Sequence, residues 1–178
     1  MEYWDLYDEH RNLTGKTIVR GEPIPLGFYH LVVHVCIFNT KGEMLIQQRQ
    51  PFKKGWSNMW DLTVGGSAQA GDTSRKAAER EVFEELGLKI SLDHERPVLT
   101  IPFRVGYDDM YILEADLDLK NLNLQYEEVQ QVKWATKDEI LKMISDETFI
   151  PYHRSLIDLL FDFRITRDAH HNLKKQAL

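Results

Sequence analysis

Residues 65–88 read GGSAQAGDTSRKAAEREVFEELGL, from Gly65 to Leu88, and the reading of this stretch decides the rest. The pattern predicts a helix over 73–86. Asp72, Thr73 and Ser74 offer oxygens that cap its first N–H groups, and Gly87 is suited to the left-handed residue that ends a helix. On that helix Glu81, Glu84 and Glu85 stand at i, i+3 and i+4, on one face of the last turns. Carboxylates so placed repel one another and face the negative end of the helix dipole. A divalent cation would offset both penalties, and all-oxygen ligands favour magnesium, manganese or calcium. Arg80 is placed to bridge to a neighbouring acid. Gly65 and Gly66 let the backbone approach a ligand closely, so the Gly65 carbonyl is a candidate member of the metal shell. A solvated acidic face is the plainer explanation of such charges; the glycine pair ahead of the helix shifts the balance towards a metal.

Working outward, the chain alternates short strands with few helices. His30 to Phe38 (HLVVHVCIF) and Glu43 to Arg49 read as strands joined by a hairpin turn at residues 39–42. Extended pieces are expected at 3–7, 15–22, 59–64, 98–105, 110–117 and 129–134, with a turn at 106–109 between two of them. Thr136 opens a helix over 137–144, a last helix covers 152–163, and the tail from Arg164 is polar and expected to fray. Together these predict an α+β fold or an α/β/α sandwich, a mixed β-sheet flanked by helices. One domain is expected over 1–178: N-terminal strands and loop at 1–27, a core at 28–163 and a tail at 164–178.

The chain has 178 residues and a formal net charge of -6, which argues against a large nucleic-acid or anionic-membrane footprint. An anionic substrate remains compatible, because a bound cation inverts the local field. Cys36 is the single cysteine, so no internal disulfide forms and a cytoplasmic setting suits the chain. No apolar run of membrane-spanning length occurs, and the acidic, aromatic N-terminus reads as neither a signal nor a transit peptide.

The stretch 65–88 resembles the box that defines the Nudix hydrolase family, G-x5-E-x7-R-E-U-x-E-E-x-G-U. Gly66 matches its first glycine, and Arg80-Glu81-Val82-Phe83-Glu84-Glu85-Leu86-Gly87-Leu88 its second half without a gap. Asp72 stands where the family has its first glutamate, a supporting residue; the shorter acid can still cap and accept a hydrogen bond. The resemblance implies Mg2+, with Mn2+ as substitute, held by Glu81, Glu84 and Glu85, with Arg80 orienting a glutamate. It implies a small-molecule substrate: a nucleoside diphosphate or triphosphate, or another diphosphate linked to a moiety X, cleaved by water. The general base is a box glutamate or an acid beyond the box, where Glu127 and Glu128 stand; plain exposed acids are the alternative for either. Arg49, Lys53 and Lys54 are candidates for meeting phosphate, or ordinary surface charge. Trp56 and Trp60 are candidates for stacking on a base, or core and rim residues. The family's frequent dimers leave a homodimer open.

The region from His30 also resembles a sister branch, the isopentenyl-diphosphate isomerases, through HLVVHVCIFNTKGEMLIQQR, KKGW and WDLTVGGS. Gly65 stands where those enzymes have a catalytic cysteine, and Ser67 where they have a ligand histidine. His30 matches another ligand histidine. Of two further acids near Gly106 and Asp108, only Asp108 is acidic here. A glycine performs no acid–base chemistry, which disfavours isomerisation. Cys36 is no substitute: alternation puts it on a face with His30, His34 and Phe38, more suited to a buried thiol and two satisfied histidines than to zinc. A nucleotide-sensing module without catalysis ranks third, since such modules are expected to lose box glutamates.

Overall fold

The computed structural model describes residues 1–170. Two strands, β1 (Tyr3–Tyr7) and β2 (Leu13–Val19), form an antiparallel hairpin of their own. The remaining strands make one mixed sheet: β3 (His30–Phe38), β4 (Met44–Arg49), β5 (Trp60–Asp61), β6 (Val64–Ser67), β7 (Leu99–Phe103), β8 (Gly106–Glu114) and β9 (Val129–Ala135). Helix α1 (Ser74–Leu86) follows β6; α2 (Lys137–Ser145) and α3 (Arg154–Ile165) close the chain.

Strand β3 organises the sheet. Its whole length pairs in parallel with β8. Its other edge serves two partners in succession, β6 along residues 32–35 and β4 at Phe38. A strand buried on both faces reads as a continuous apolar run, as β3 does. Alternation then divides it: Val33, Val35 and Ile37 face one core with Val82 and Leu86 of α1. Cys36 and Phe38 face the other core with Ile140 of α2 and Ile157 and Leu160 of α3. The result is a sheet between helical layers, the expected sandwich. Each fully buried aliphatic side chain contributes about 1.5–3 kcal/mol, so the face of α1 that packs down fixes where its acidic face points.

The helix ends follow their sequence signals. The Thr73 side chain caps α1 by accepting from the Lys76 N–H, and Gly87 ends it at φ 68°. Thr136 and Glu139 form a reciprocal capping box on α2.

Several boundaries differ from the sequence reading. The strand expected at 59–64 is broken: the chain leaves β4 after Asp61 and joins β3 at Val64. Side chains serve the changeover, since the Thr63 hydroxyl accepts from the Ile37 N–H at 2.9 Å and donates to the Leu45 carbonyl. Gly65 and Gly66 therefore lie inside β6, beyond the extended piece expected at 59–64, opposite His34 and Val33. The turn expected at 106–109 falls earlier, and Asp108 and Asp109 are strand residues. Tertiary partners override their turn tendency: Asp109 is fully buried and accepts from Arg11, Ser74 and Thr100, while Asp108 bonds His34. The last helix starts at Arg154, leaving Tyr152 outside it, and includes Arg164, which pairs with Glu114 at 3.2 Å. Arg167 donates to the Ile112 carbonyl at 3.0 Å, so the start of the expected fraying tail is bonded to the sheet. The rest of that tail, 171–178, lies outside the described residues. No described helix is long and apolar enough to cross a membrane.

Candidate active site

Helix α1, strand β6 and the loop before β9 enclose a polar cleft of about 180 Å³. Glu81, Glu84, Glu85 and Arg80 line it from α1, Gly65 and Gly66 from β6, and Glu128 from the loop. The structure thus brings together the box glutamates, the glycine backbone and one of the two loop acids. Glu127 is exposed and is not among the lining residues.

Gly66 is required by contact. A Cβ there would lie against the Glu81 carboxyl, closer than side chains approach one another. The first glycine of the box therefore makes room for a glutamate of the box.

Arg80 is the hub of the acid cluster. Its Nη1 donates to Glu81 at 2.8 Å and Glu84 at 3.0 Å. Its Nε and Nη2 donate to Asp72 at 3.2 and 3.1 Å, and Nη2 also to the Ser67 carbonyl at 3.0 Å. Asp72 does not cap α1; it fixes the arginine that bridges the glutamates, and the shorter acid reaches. Burial works against the Arg80 charge, yet Glu81, Glu84 and Asp72 hold its pKa above the usual arginine value.

Glu85 is 4% exposed and accepts from the Gln47 amide at 3.0 Å. Desolvation, then the charge of Glu81, push its pKa well above the ordinary carboxylate value, against the Gln47 bond. Glu81 is also raised, by burial first and by Glu84, with Arg80 opposing. The Oε1 atom of Gln47, on the amide that bonds Glu85, is buried with no partner.

The donor set is three carboxylates around one cleft, chemistry that suits a hard divalent cation. Among the described residues no group of three or more His, Cys, Asp or Glu stands preformed around an ion position. Arg80 explains this: its guanidinium lies between Glu81 and Glu84 and neutralises them. The residues fit a cation in type and convergence, with a rotation of Glu81 and Glu84 off Arg80.

A second cavity, about 460 Å³, opens on the other side of β6 and shares Gly65, Gly66 and Ser67 with the cleft. Arg49, Trp56, His34 and Tyr152 line it. Arg49 donates to the Gly55 carbonyl at 3.1 Å, and Trp56 is half-exposed. His34 Nδ1 bonds Asp108 at 2.8 Å, and the Tyr152 hydroxyl donates to Asp61 at 2.8 Å. Burial opposes the His34 charge, but Asp108 raises its pKa above the ordinary value. Sequence reasoning missed His34 and Tyr152 as lining residues: the pairing of β3 with β6 and β8 places His34, and the bridge of Phe149 to Trp60 with the bond to Asp61 places Tyr152.

Other candidates are placed elsewhere. Trp60 packs beside the second core with Lys133 4.6 Å from its ring centre, and it does not line either cavity. Lys54 is exposed and also outside both linings. Lys53 pairs with Glu128 at 2.6 Å.

The face bearing Cys36 holds no zinc cluster among the described residues. Cys36 is fully buried, and desolvation raises its thiol pKa. His30, expected to be satisfied, has a buried Nδ1 with no partner and stacks on Trp4 at 4.5 Å. Burial lowers its pKa to about 4.

The position equivalent to the isomerase cysteine is filled differently. A Cβ on Gly65 would meet the His34 imidazole at 2.6 Å. The histidine occupies the room a side chain at 65 would take.

Residues 28–160 match the family model for the NUDIX domain. An uncharacterised Nudix hydrolase of Listeria innocua is 48% identical over 170 residues, covering 96% of this chain and 99% of its own length. An isopentenyl-diphosphate Delta-isomerase of Pectobacterium atrosepticum is 28% identical over 155 residues, 81% of this chain and 83% of its own. In fold, a crystal structure from Deinococcus radiodurans superposes with a TM-score of 0.74 at 24% identity, over 89% of this chain and 99% of that one.

Proposed function

This chain belongs to the Nudix hydrolase family, and from that premise we propose that it cleaves a diphosphate linkage with a divalent metal ion, Mg2+ or Mn2+, held by Glu81, Glu84 and Glu85. The substrate is a nucleoside diphosphate or triphosphate, or a related diphosphate-X compound. The observation that carries this reading is the convergence of three box carboxylates on one cleft, against a glycine whose missing side chain makes room for Glu81.

When bound, the ion supplies charge neutralisation at phosphate oxygens and acidifies water. The chain's own residues do the remainder. Arg80, clamped by Asp72 and the Ser67 carbonyl, holds Glu81 and Glu84 in the cleft until they are recruited. The Gly65 carbonyl, from a residue that lines the same cleft, would add an oxygen donor to the ion. Glu128, which lines the cleft and is paired with Lys53, is the acid beyond the box to which we assign the proton of the attacking water. The adjoining cavity, with Arg49 and Trp56, is the place for part of the substrate beyond the scissile phosphates. Lys54 and Trp60 are given no role. A reducing cytoplasm suits the lone buried thiol of Cys36.

The isomerase reading is weaker: it lacks the cysteine, and His34 fills the space such a side chain needs. The test is a panel of nucleoside and other diphosphates, with magnesium or manganese, assayed for phosphate or monophosphate release. Metal-dependent release supports hydrolysis. Conversion of isopentenyl to dimethylallyl diphosphate by NMR, without release from any panel member, would replace it.

A further inference from the structure

The hairpin β1–β2 precedes residues 28–160, the span matched by the family model, yet it reaches the cleft. It is bonded directly to the box loop: the Ala70 N–H donates to the Tyr3 carbonyl at 2.8 Å, and the Gly71 N–H to the Asp5 carboxylate at 2.7 Å. Just past its second strand stands Arg20, which lines the cleft together with the box glutamates.

The two guanidinium groups of the cleft differ in what remains available. Arg80 spends Nε, Nη1 and Nη2 on protein acceptors. Arg20, among the described residues, spends only Nη1, on Glu2 at 2.8 Å, and its side chain is 56% exposed. Its position is nevertheless set. Glu2 also accepts from the Trp4 indole at 2.9 Å, and Trp4 stacks on His30 at the start of β3. A chain of contacts thus runs from the central strand to Arg20. Its field reaches the catalytic acids, since its charge acts on Glu81, and Glu81 and Glu128 act on it.

A fork with unused N–H donors, fixed at the rim of an acidic cleft, suits a phosphate group. Resting on the diphosphate reading above, we infer that Arg20, delivered by the N-terminal hairpin, is a phosphate-binding residue of this enzyme. It engages non-bridging oxygens of the substrate diphosphate at the cleft rim. Arg80 is thereby left to organise the carboxylates. The hairpin is then part of the substrate site, and not only a cover for the box loop.

The test measures binding of inorganic imidodiphosphate, a non-hydrolysable diphosphate, to the full chain with saturating manganese, and of manganese alone. Arg20→Ala is expected to weaken imidodiphosphate by about tenfold or more, the scale of one charge-assisted contact, and to leave manganese affinity equal or slightly tighter. Arg20→Lys should recover part of the loss. Glu2→Gln, which keeps the guanidinium and weakens its tether, should bind imidodiphosphate within about threefold of the parent, well short of the loss in Arg20→Ala. If Arg20→Ala melts at a lower temperature, Arg20→Gln, able to keep a bond to Glu2, carries the same test. Imidodiphosphate affinity unchanged in the Arg20 variants would overturn the inference. So would a loss in Glu2→Gln as large as in Arg20→Ala, which assigns the effect to hairpin position. A parent protein that binds manganese but no imidodiphosphate would instead remove the diphosphate reading.

Discussion

Glu85→Gln should stabilise the metal-free protein while abolishing its response to metal. Glu85 is buried, and burial with the Glu81 charge raises its pKa well above 4.5. Its protonated form therefore has a donor to offer, and the buried Gln47 Oε1 lacks one. A glutamine at 85 supplies an N–H donor at every pH. Satisfying a buried acceptor is worth about 1–3 kcal/mol, and each kcal/mol moves the melting temperature of a chain this size by about 2–4 °C. A rise of roughly 5 °C at pH 8 in EDTA follows. With the folded pKa raised, the native state holds the extra proton above 4.5, so stability is full below that value and is lost as pH rises through the folded pKa. The variant lacks this loss, so its advantage is greatest at alkaline pH and fades towards pH 4.5. Excess manganese at about 100 times its Kd should add about 2.7 kcal/mol to the parent and little to the variant. Thermal melts of both proteins across this range, with and without manganese, make the measurement. A variant that melts below the parent at pH 8 in EDTA, or that keeps the full manganese gain, refutes the reasoning.

Glu84→Gln should cut turnover by orders of magnitude while moving the metal-free melting temperature little, because its bond to Arg80 is half-exposed and worth about 0–1 kcal/mol; steady-state kinetics and a melt check both halves. Gly66→Ala should lower turnover about a hundredfold or more and weaken manganese binding, since the new methyl group displaces the Glu81 carboxyl; wild-type values for both would remove the steric account. Gly65→Cys should expel His34 from its bond to Asp108 and still give no dimethylallyl diphosphate, as read by NMR.

The cleft was largely legible in the sequence because its parts are local. Glu81, Glu84 and Glu85 follow from helical spacing, their helix from the Thr73 and Gly87 caps, and Arg80 from its adjacency to Glu81. What was not legible is long-range. The changeover of the chain from β4 to β3 at Thr63 depends on bonds to Ile37 and Leu45, and it splits the strand expected at 59–64 into β5 and β6. Asp108 and Asp109 look like turn residues until His34, Arg11 and Ser74 are brought to them. The second cavity shows the same limit. Trp56 lines it and Trp60 does not, though both are tryptophans of one short segment, because Trp60 is taken into the sheet opposite Gln48.

The claim on which the account turns is tested most directly by a crystal soaked in manganese and imaged by anomalous scattering. The account predicts a peak within about 2.0–2.6 Å of oxygens from Glu81, Glu84 and Glu85, with Glu81 and Glu84 rotated off Arg80. Carboxylates still bonded to Arg80 and Gln47, with no anomalous peak in the cleft, would contradict it.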